Sequence, residues 1–262
     1  MIRIIDADDS RIGLYRNLKD ISFTHSEKNL FIAEGSIVTK KLLQSKIEII
    51  SLFALPEFYH SLNKLQLSKK IPLNKQFAAK KKVMNQIVGF RLHQGIMAIA
   101  KIPEQTPLDT LKPPIIVLNG IVNSENVGAI IRNAVAFGIK SIFFDNQTSH
   151  PFLRRAVRVS MGTVFSVQYF HSDNLNEDLL HLKNKTGFEL IASEISINSK
   201  PLNEYFFKKK TVMIFGSEGK GISNEILSIC NKVIHIPIEK EVESLNVAAS
   251  SSIIFHHFYK KL

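Results

Sequence analysis

The chain has 262 residues, one cysteine, 45% apolar residues and a formal net charge of +11. A lone cysteine excludes an internal disulfide framework, and no apolar run approaches the roughly 18 residues of a membrane-spanning helix. The basic balance, with an isoelectric point near 9.6, favours a nucleic-acid partner over a merely soluble basic surface.

Most of that charge lies early: residues 1–105 hold 17 Lys and Arg against 9 Asp and Glu. The opening MIRIIDADDSRIG lacks the basic-then-apolar pattern of a secretion signal, so a soluble cytoplasmic protein is expected. Residues 1–25 read as a short lead-in. From Leu30 strands and helices alternate. LFIAE reads as a strand ending at Gly35, SIVTKKLLQS as a helix and IEIISLFAL as a strand. PEFYHSLNKL reads as a helix with proline at its first position. IPL reads as a short strand, AAKKKVMNQIV as a basic helix ending at Gly89, and GIMAIAKI as a strand. This order implies a small α/β domain whose helices carry Lys40, Lys41, Lys80, Lys81 and Lys82. A solvated helix face explains any one of these lysines; as a set they fit an RNA-facing surface.

Lys101–Pro114 holds four prolines and few apolar residues, which marks an interdomain linker. The expected division is residues 1–106, a linker at 107–114, and residues 115–262. The second alternation begins with IIVLNG as a strand. Asn126–Phe137 has apolar residues at helical spacing with Gly138 as its stop. SIFFD is a strand, PFLRRAVRVSMG a basic helix, TVFSVQYF a strand, NLNEDLLHLKNK a helix and FELIAS a strand. TVMIF is a strand that empties into Gly216-Ser217-Glu218-Gly219-Lys220-Gly221. A helix near Ser223–Cys230, the strand KVIHI and a terminal helix from Ser244 complete the chain.

Strand ends followed by glycine-rich turns and helix starts are where α/β proteins bind ligands. Ser124 is a plausible helix cap, which sets Asn126 in the first turn. Arg132 needs either a structural partner or an anion. The GSEGKG turn is neither a P-loop, since Gly221 follows Lys220, nor a G-x-G-x-x-G fingerprint. Its glycines would let a ligand approach the backbone, and Glu218 either orders the neighbouring loops or is simply solvated. Ser244 can cap the last helix, with Leu245 as a buried contact. His256 and His257 are adjacent and share no helix face, so no metal site is expected. Cys230 reads as core.

Three motifs together carry a resemblance: Asn126 and Arg132 as N-x5-R on one helix, GSEGKG after a strand, and IP followed by ESLNV before the last helix. Over residues 115–258 the chain resembles the SpoU/TrmH family of the SPOUT superfamily, RNA 2′-O-ribose methyltransferases. LFIAEGSIV and HQGIMAIAK are similar to a substrate-binding domain related to ribosomal protein L30e. The resemblance implies an α/β protein: a small L30e-like domain, then a domain with a parallel sheet and a carboxy-terminal trefoil knot. It implies S-adenosylmethionine held by the backbone at Gly216, Ile236 and Leu245. It further implies a site shaped by Asn126, Glu218, Ser244 and Asn246, with Arg132 as the catalytic residue supplied by the partner subunit of a homodimer. The implied substrate is structured RNA, ribosomal or transfer; no metal and no membrane are involved. The family loop commonly reads IPM-x-G, whereas here Lys240 stands where glycine is common. Two other readings compete: a catalytically weak RNA-binding platform, and an ordinary doubly wound nucleotide-binding enzyme, which would lack both phosphate fingerprints.

Overall fold

The computed structural model describes residues 1–16, 18, 28–89, 91 and 94–261. It divides into two compact units, Met1–Pro103 with Phe152–Phe165, and Glu104–Pro151 with Ser166–Leu262. The expected lead-in falls partly outside the described residues, at 17 and 19–25, as does His93 of the HQGIMAIAK motif.

The first unit is built on a five-stranded sheet of β1 (Ile2–Arg3), β2 (Leu30–Glu34), β3 (Ile49–Ala54), β4 (Gln76–Ala78) and β5 (Ile96–Lys101). The order is β1-β4-β3-β5-β2, and β5 runs antiparallel to both its neighbours. Helices α1 (Ser36–Gln44), α2 (Pro56–Lys64) and α3 (Lys81–Val88) connect the strands. Pro56 opens α2, where its missing N–H costs nothing, and Gly89 closes α3 in the left-handed conformation. Ile12, Leu18, Phe53, Phe77, Met84 and Met97 form part of the core. The IPL strand does not form: Leu73 is exposed in a 3-10 turn, and the strand comes three residues later, where Phe77 and Ala78 pair with both β1 and β3. Strand β1 itself was not anticipated.

The second unit holds a seven-stranded sheet: β6 (Ile115–Asn119), β7 (Ser141–Asp145), β8 (Gln168–Ser172), β9 (Glu189–Ser193), β10 (Lys200–Pro201), β11 (Thr211–Gly216) and β12 (Lys232–His235). The order is β10-β12-β9-β11-β6-β7-β8, and every pair is parallel. Strands covered on both faces read as unbroken apolar runs, which is why TVMIF and IIVL are wholly buried. The helices of this unit are α4 (Ser124–Ala136), α6 (Leu175–Thr186), α7 (Asn224–Ile229) and α8 (Val247–Lys261). The late strands insert rather than append: β11 lies between β9 and β6, and β12 between β9 and β10. Strand β8 starts at Gln168, after a 3-10 turn at Thr163–Ser166, rather than at Thr163. The two-residue β10 carried no sequence signal.

The basic helix α5 (Arg154–Val159) lies in the first unit, although the linker reading assigned it to the second. Two rings and one ion pair explain this. Phe152 and Phe165 pack on Phe31 of β2 with centroids 4.9 and 5.6 Å away, and Arg154 meets the Glu34 carboxylate at 2.7 Å. Both charged side chains are mostly shielded from water, so separating them would strand a buried charge.

Candidate active site at the carboxyl ends of the parallel strands

All seven strands of the second sheet point their carboxyl ends to one side, and two cavities open there. The first, about 410 Å³, is bordered by the residues after β9, β11 and β12 and by the segment leading into α8. Gly216, Ile236, Ser244 and Leu245, which lie far apart in sequence, all line it. Among the described residues, the main-chain groups of Ile236 and Leu245 find no protein hydrogen-bond partner. Unpaired peptide groups beside the half-buried side chains of Ile236, Ile238 and Leu245 make a slot that is polar at its rim and apolar along its wall.

The GSEGKG turn closes on itself. Ser217 and Gly221 exchange backbone hydrogen bonds at 3.2 and 2.9 Å, and Gly221 has a φ of +65°. A Cβ on Gly216 would lie 2.2 Å from the Gly221 carbonyl carbon. The need for glycine at 216 is therefore set by the turn's own backbone rather than by a ligand's approach. Beneath the turn, Glu194 accepts the Ile222 N–H at 2.9 Å.

Glu218, at the tip of this turn, is the hub of a polar network. Its Oε1 accepts from Asn126 Nδ2 at 3.1 Å, from Asn246 Nδ2, and from the Val247 N–H at 3.4 Å. Asn246 Nδ2 also approaches Asn126 Oδ1 at 3.2 Å, and Asn246 Oδ1 accepts the Ala248 N–H at 2.9 Å. The carboxylate thus lies at the amino terminus of α8, where the helix dipole and unpaired N–H groups favour negative charge. Asn246, not Ser244, caps this helix, which begins three residues later than expected; Ser244 is exposed on the cavity rim. Likewise Asn123 rather than Ser124 caps α4, accepting the Glu125 N–H at 2.9 Å. Leu245 is half-buried.

Arg132 stands apart. It is exposed on α4, lines neither cavity, and among the described residues its side chain makes no hydrogen bond or ion pair. One turn of geometry explains it: Asn126 and Asn133, seven apart, face α8, where Asn133 Nδ2 reaches the Ala248 carbonyl at 2.8 Å and Ser251 Oγ at 3.1 Å. A residue one position before Asn133 points about 100° away from that face. Lys240 is also exposed, in a turn closed by Val242 N–H to Glu239 O at 3.1 Å, and does not line the cavity.

The second cavity, about 720 Å³, lies over β6, β7 and β8 and shares the Ser217–Gly221 turn with the first. Its floor was not foreseen. Asp145 accepts from Asn119 Nδ2 at 2.7 Å, from the Gly120 N–H at 3.0 Å, and from the Thr148 N–H and hydroxyl at 2.9 and 2.7 Å. Asn119 Oδ1 in turn accepts the Ser223 N–H at 3.1 Å. The available signal was a polar residue closing each apolar strand, in IIVLN and SIFFD. Elsewhere, burial pushes the Cys230 thiol up to about 11, and its sulfur donates to the Ile226 carbonyl at 3.1 Å. His257 bonds the Tyr205 carbonyl at 3.0 Å, while His256 packs on Phe137. No cluster of metal-ligating side chains occurs among the described residues, and no helix among them is long and apolar enough to cross a membrane.

Comparison with known proteins bears on this arrangement. The SpoU rRNA Methylase family matches residues 113–256. An uncharacterized tRNA/rRNA methyltransferase of Mycobacterium bovis is 30% identical, over 97% of this chain and 90% of its own length. A 23S rRNA (guanosine-2′-O-)-methyltransferase of Acinetobacter baylyi is 23% identical over 73% of this chain and 80% of its own. The crystal structure of an AdoMet-bound rRNA methyltransferase from Sinorhizobium meliloti shares the fold, with a TM-score of 0.84, 22% identity, and 99% and 98% of the two chains covered. A family match over more than half the chain, joined to this arrangement of loops, leads to one conclusion: the chain belongs to the SpoU/TrmH family of RNA methyltransferases.

Proposed function

We propose that this chain methylates a ribose 2′-hydroxyl in ribosomal or transfer RNA with S-adenosylmethionine as donor. The observation that carries the reading is the convergence of Gly216, Ile236 and Leu245 on one cavity of about 410 Å³. The unpaired main-chain groups of Ile236 and Leu245 suit the polar edge of an adenine, and the apolar side chains beside them suit its faces. Bound there, S-adenosylmethionine supplies a methyl group on a cationic sulfur, already activated for displacement. What remains for the protein is to position the hydroxyl and to receive its proton.

Glu218, Asn126 and Asn246 hold the wall between the two cavities in one geometry, and Ser244 lines its rim. Arg132 serves a second copy's site, since in its own chain it lines neither cavity. The exposed Ile253 and Tyr259 of α8, which packs against α4, give such a homodimer an apolar contact. Guanidinium groups stay charged and fork readily onto phosphate, so Arg132 anchors the phosphate beside the reacting ribose, where the phosphate helps accept the proton. Residues 1–106 form the RNA-binding domain, with Phe152–Phe165 packed into that unit, and the rest of 115–262 forms the methyltransferase domain. A knotted carboxyl end is part of this reading by family membership, and the insertion of β11 and β12 between earlier strands is compatible with it.

Ribose-methylation mapping of total RNA from cells with and without this protein tests the reading. One or a few 2′-O-methyl marks lost with the protein support it. Unchanged maps, together with no S-adenosylmethionine binding at millimolar concentration in calorimetry, defeat it.

A further inference from the structure

The larger cavity has a chemistry of its own. Its walls carry four carboxylates, Asp145, Asp173, Glu218 and Glu225, against one cation, Lys220. Such a surface repels phosphate and suits a neutral group rich in N–H donors. Its volume of about 720 Å³ lies within the roughly 300–1,000 Å³ range of small-molecule sites.

Three of those carboxylates are already occupied. Asp145 is held by Asn119, Gly120 and Thr148, Glu218 by the two asparagines, and Glu225 by Asn176 Nδ2 at 2.5 Å. Asp173, at the end of β8, makes no hydrogen bond or ion pair among the described residues, and neither do Asn146 and Gln147 after β7. Asn176 Oδ1, also in this wall, is buried without a partner. The cavity therefore offers a free carboxylate and two free amides, one thin wall away from the first cavity.

We propose that this cavity takes the base of the acceptor nucleoside, swung out of its stack, and that it reads guanine through Asp173. The proposal rests on the methyltransferase reading above. An enzyme acting on one nucleotide in folded RNA reaches it by splaying it out, and reads the exposed Watson–Crick edge. Guanine alone among the four bases presents two neighbouring donors on that edge, N1–H and the 2-amino group, which match the two oxygens of one carboxylate. Asn146 and Gln147 can each turn an amide N–H toward the guanine 6-oxygen. The shared Ser217–Gly221 turn then sets the ribose against the donor's cavity.

Purified protein, tritiated S-adenosylmethionine and total RNA from cells lacking the protein provide the test. The methylated nucleoside is identified by mass spectrometry after nuclease digestion. The expected product is 2′-O-methylguanosine, and a 2′-O-methyl mark on adenosine, cytidine or uridine overturns the base assignment. Asp173→Asn is expected to lower kcat/KM for the RNA by roughly 10- to 100-fold while leaving calorimetric affinity for S-adenosylmethionine unchanged. Asp173 is exposed, so folding should survive. Gln147→Ala, also exposed, should give a smaller loss of the same kind. Wild-type rates from both variants overturn the proposal alone, whereas a wild-type protein that transfers no methyl group and binds no donor overturns the underlying reading as well.

Discussion

The two sheets present the same end to their surroundings in opposite states. In the first sheet β5 runs against its neighbours, so Gln94 and Gly95, which lead into it, lie at the carboxyl ends of β2 and β3. Gly95 accepts the Leu55 N–H at 2.9 Å, the Gly35 N–H reaches the Ile96 carbonyl at 2.9 Å, and Gln94 Oε1 caps α1 through the Ser36 N–H at 2.6 Å. Beside Glu34, Val38 and Ile96 lies a cavity of about 170 Å³. The second sheet has no reversed strand to fill that place. Its crossovers deliver loops but no plug, and cavities of about 410 and 720 Å³ stay open. The direction of a single strand thus separates a closed, basic unit from one built to hold ligands.

Several substitutions would break or sharpen this contrast. The largest effect belongs to Arg132→Ala, expected to cut methyl transfer by roughly 10²–10³-fold, the usual cost of removing one charge-stabilising group. Calorimetry should find its donor affinity unchanged; Arg132→Lys, which keeps charge but not the fork, should recover only part of the rate. Transfer near the wild-type rate by Arg132→Ala would remove that residue from the mechanism.

Next comes Gly216→Ala. Its Cβ would meet Gly221 backbone at 2.2 Å, and the turn can yield only by moving Glu218. A loss of about 1–3 kcal/mol in urea unfolding is expected, with donor binding weakened in the same variant. Gly219, whose Cβ position is open, should tolerate alanine with no comparable loss.

On the first unit, Lys80, Lys81 and Lys82 are exposed at the start of α3. Replacing all three with alanine should weaken RNA binding and flatten its dependence on salt concentration, by roughly 0.7–0.9 in logarithmic slope per lost phosphate contact. Donor binding should not change. An unaltered salt slope would place the RNA elsewhere. The smallest effect is expected from Gln94→Ala, which leaves the α1 amino terminus uncapped at a cost of about 1 kcal/mol in thermal unfolding. Methyl transfer should persist, because nothing in the second unit's cavities depends on that cap.

The sequence showed the alternation of strands and helices clearly, and it did so wherever the pattern was local. Pro56, Gly89 and the apolar runs of β6, β7 and β11 act through neighbours a few residues away. The helix caps were legible in kind but misplaced, since Ser, Asn and Asp compete for the same role at adjacent positions. That is how Ser124 stood in for Asn123, and Ser244 for Asn246.

The amino-acid order by itself determined the two alternations, the site's motif residues and their resemblance to one family. Only the tertiary structure decided which unit α5 joins, that Asp145 and Asn119 underlie the second cavity, and why residue 216 must be glycine. Each of these rests on a contact between distant segments: Glu218 meets Asn126 from 92 positions away, and Asn119 meets Ser223 from 104. Propensity and periodicity act over a turn of helix or a stretch of strand, whereas a shared carboxylate or a steric limit exists only once those segments lie side by side.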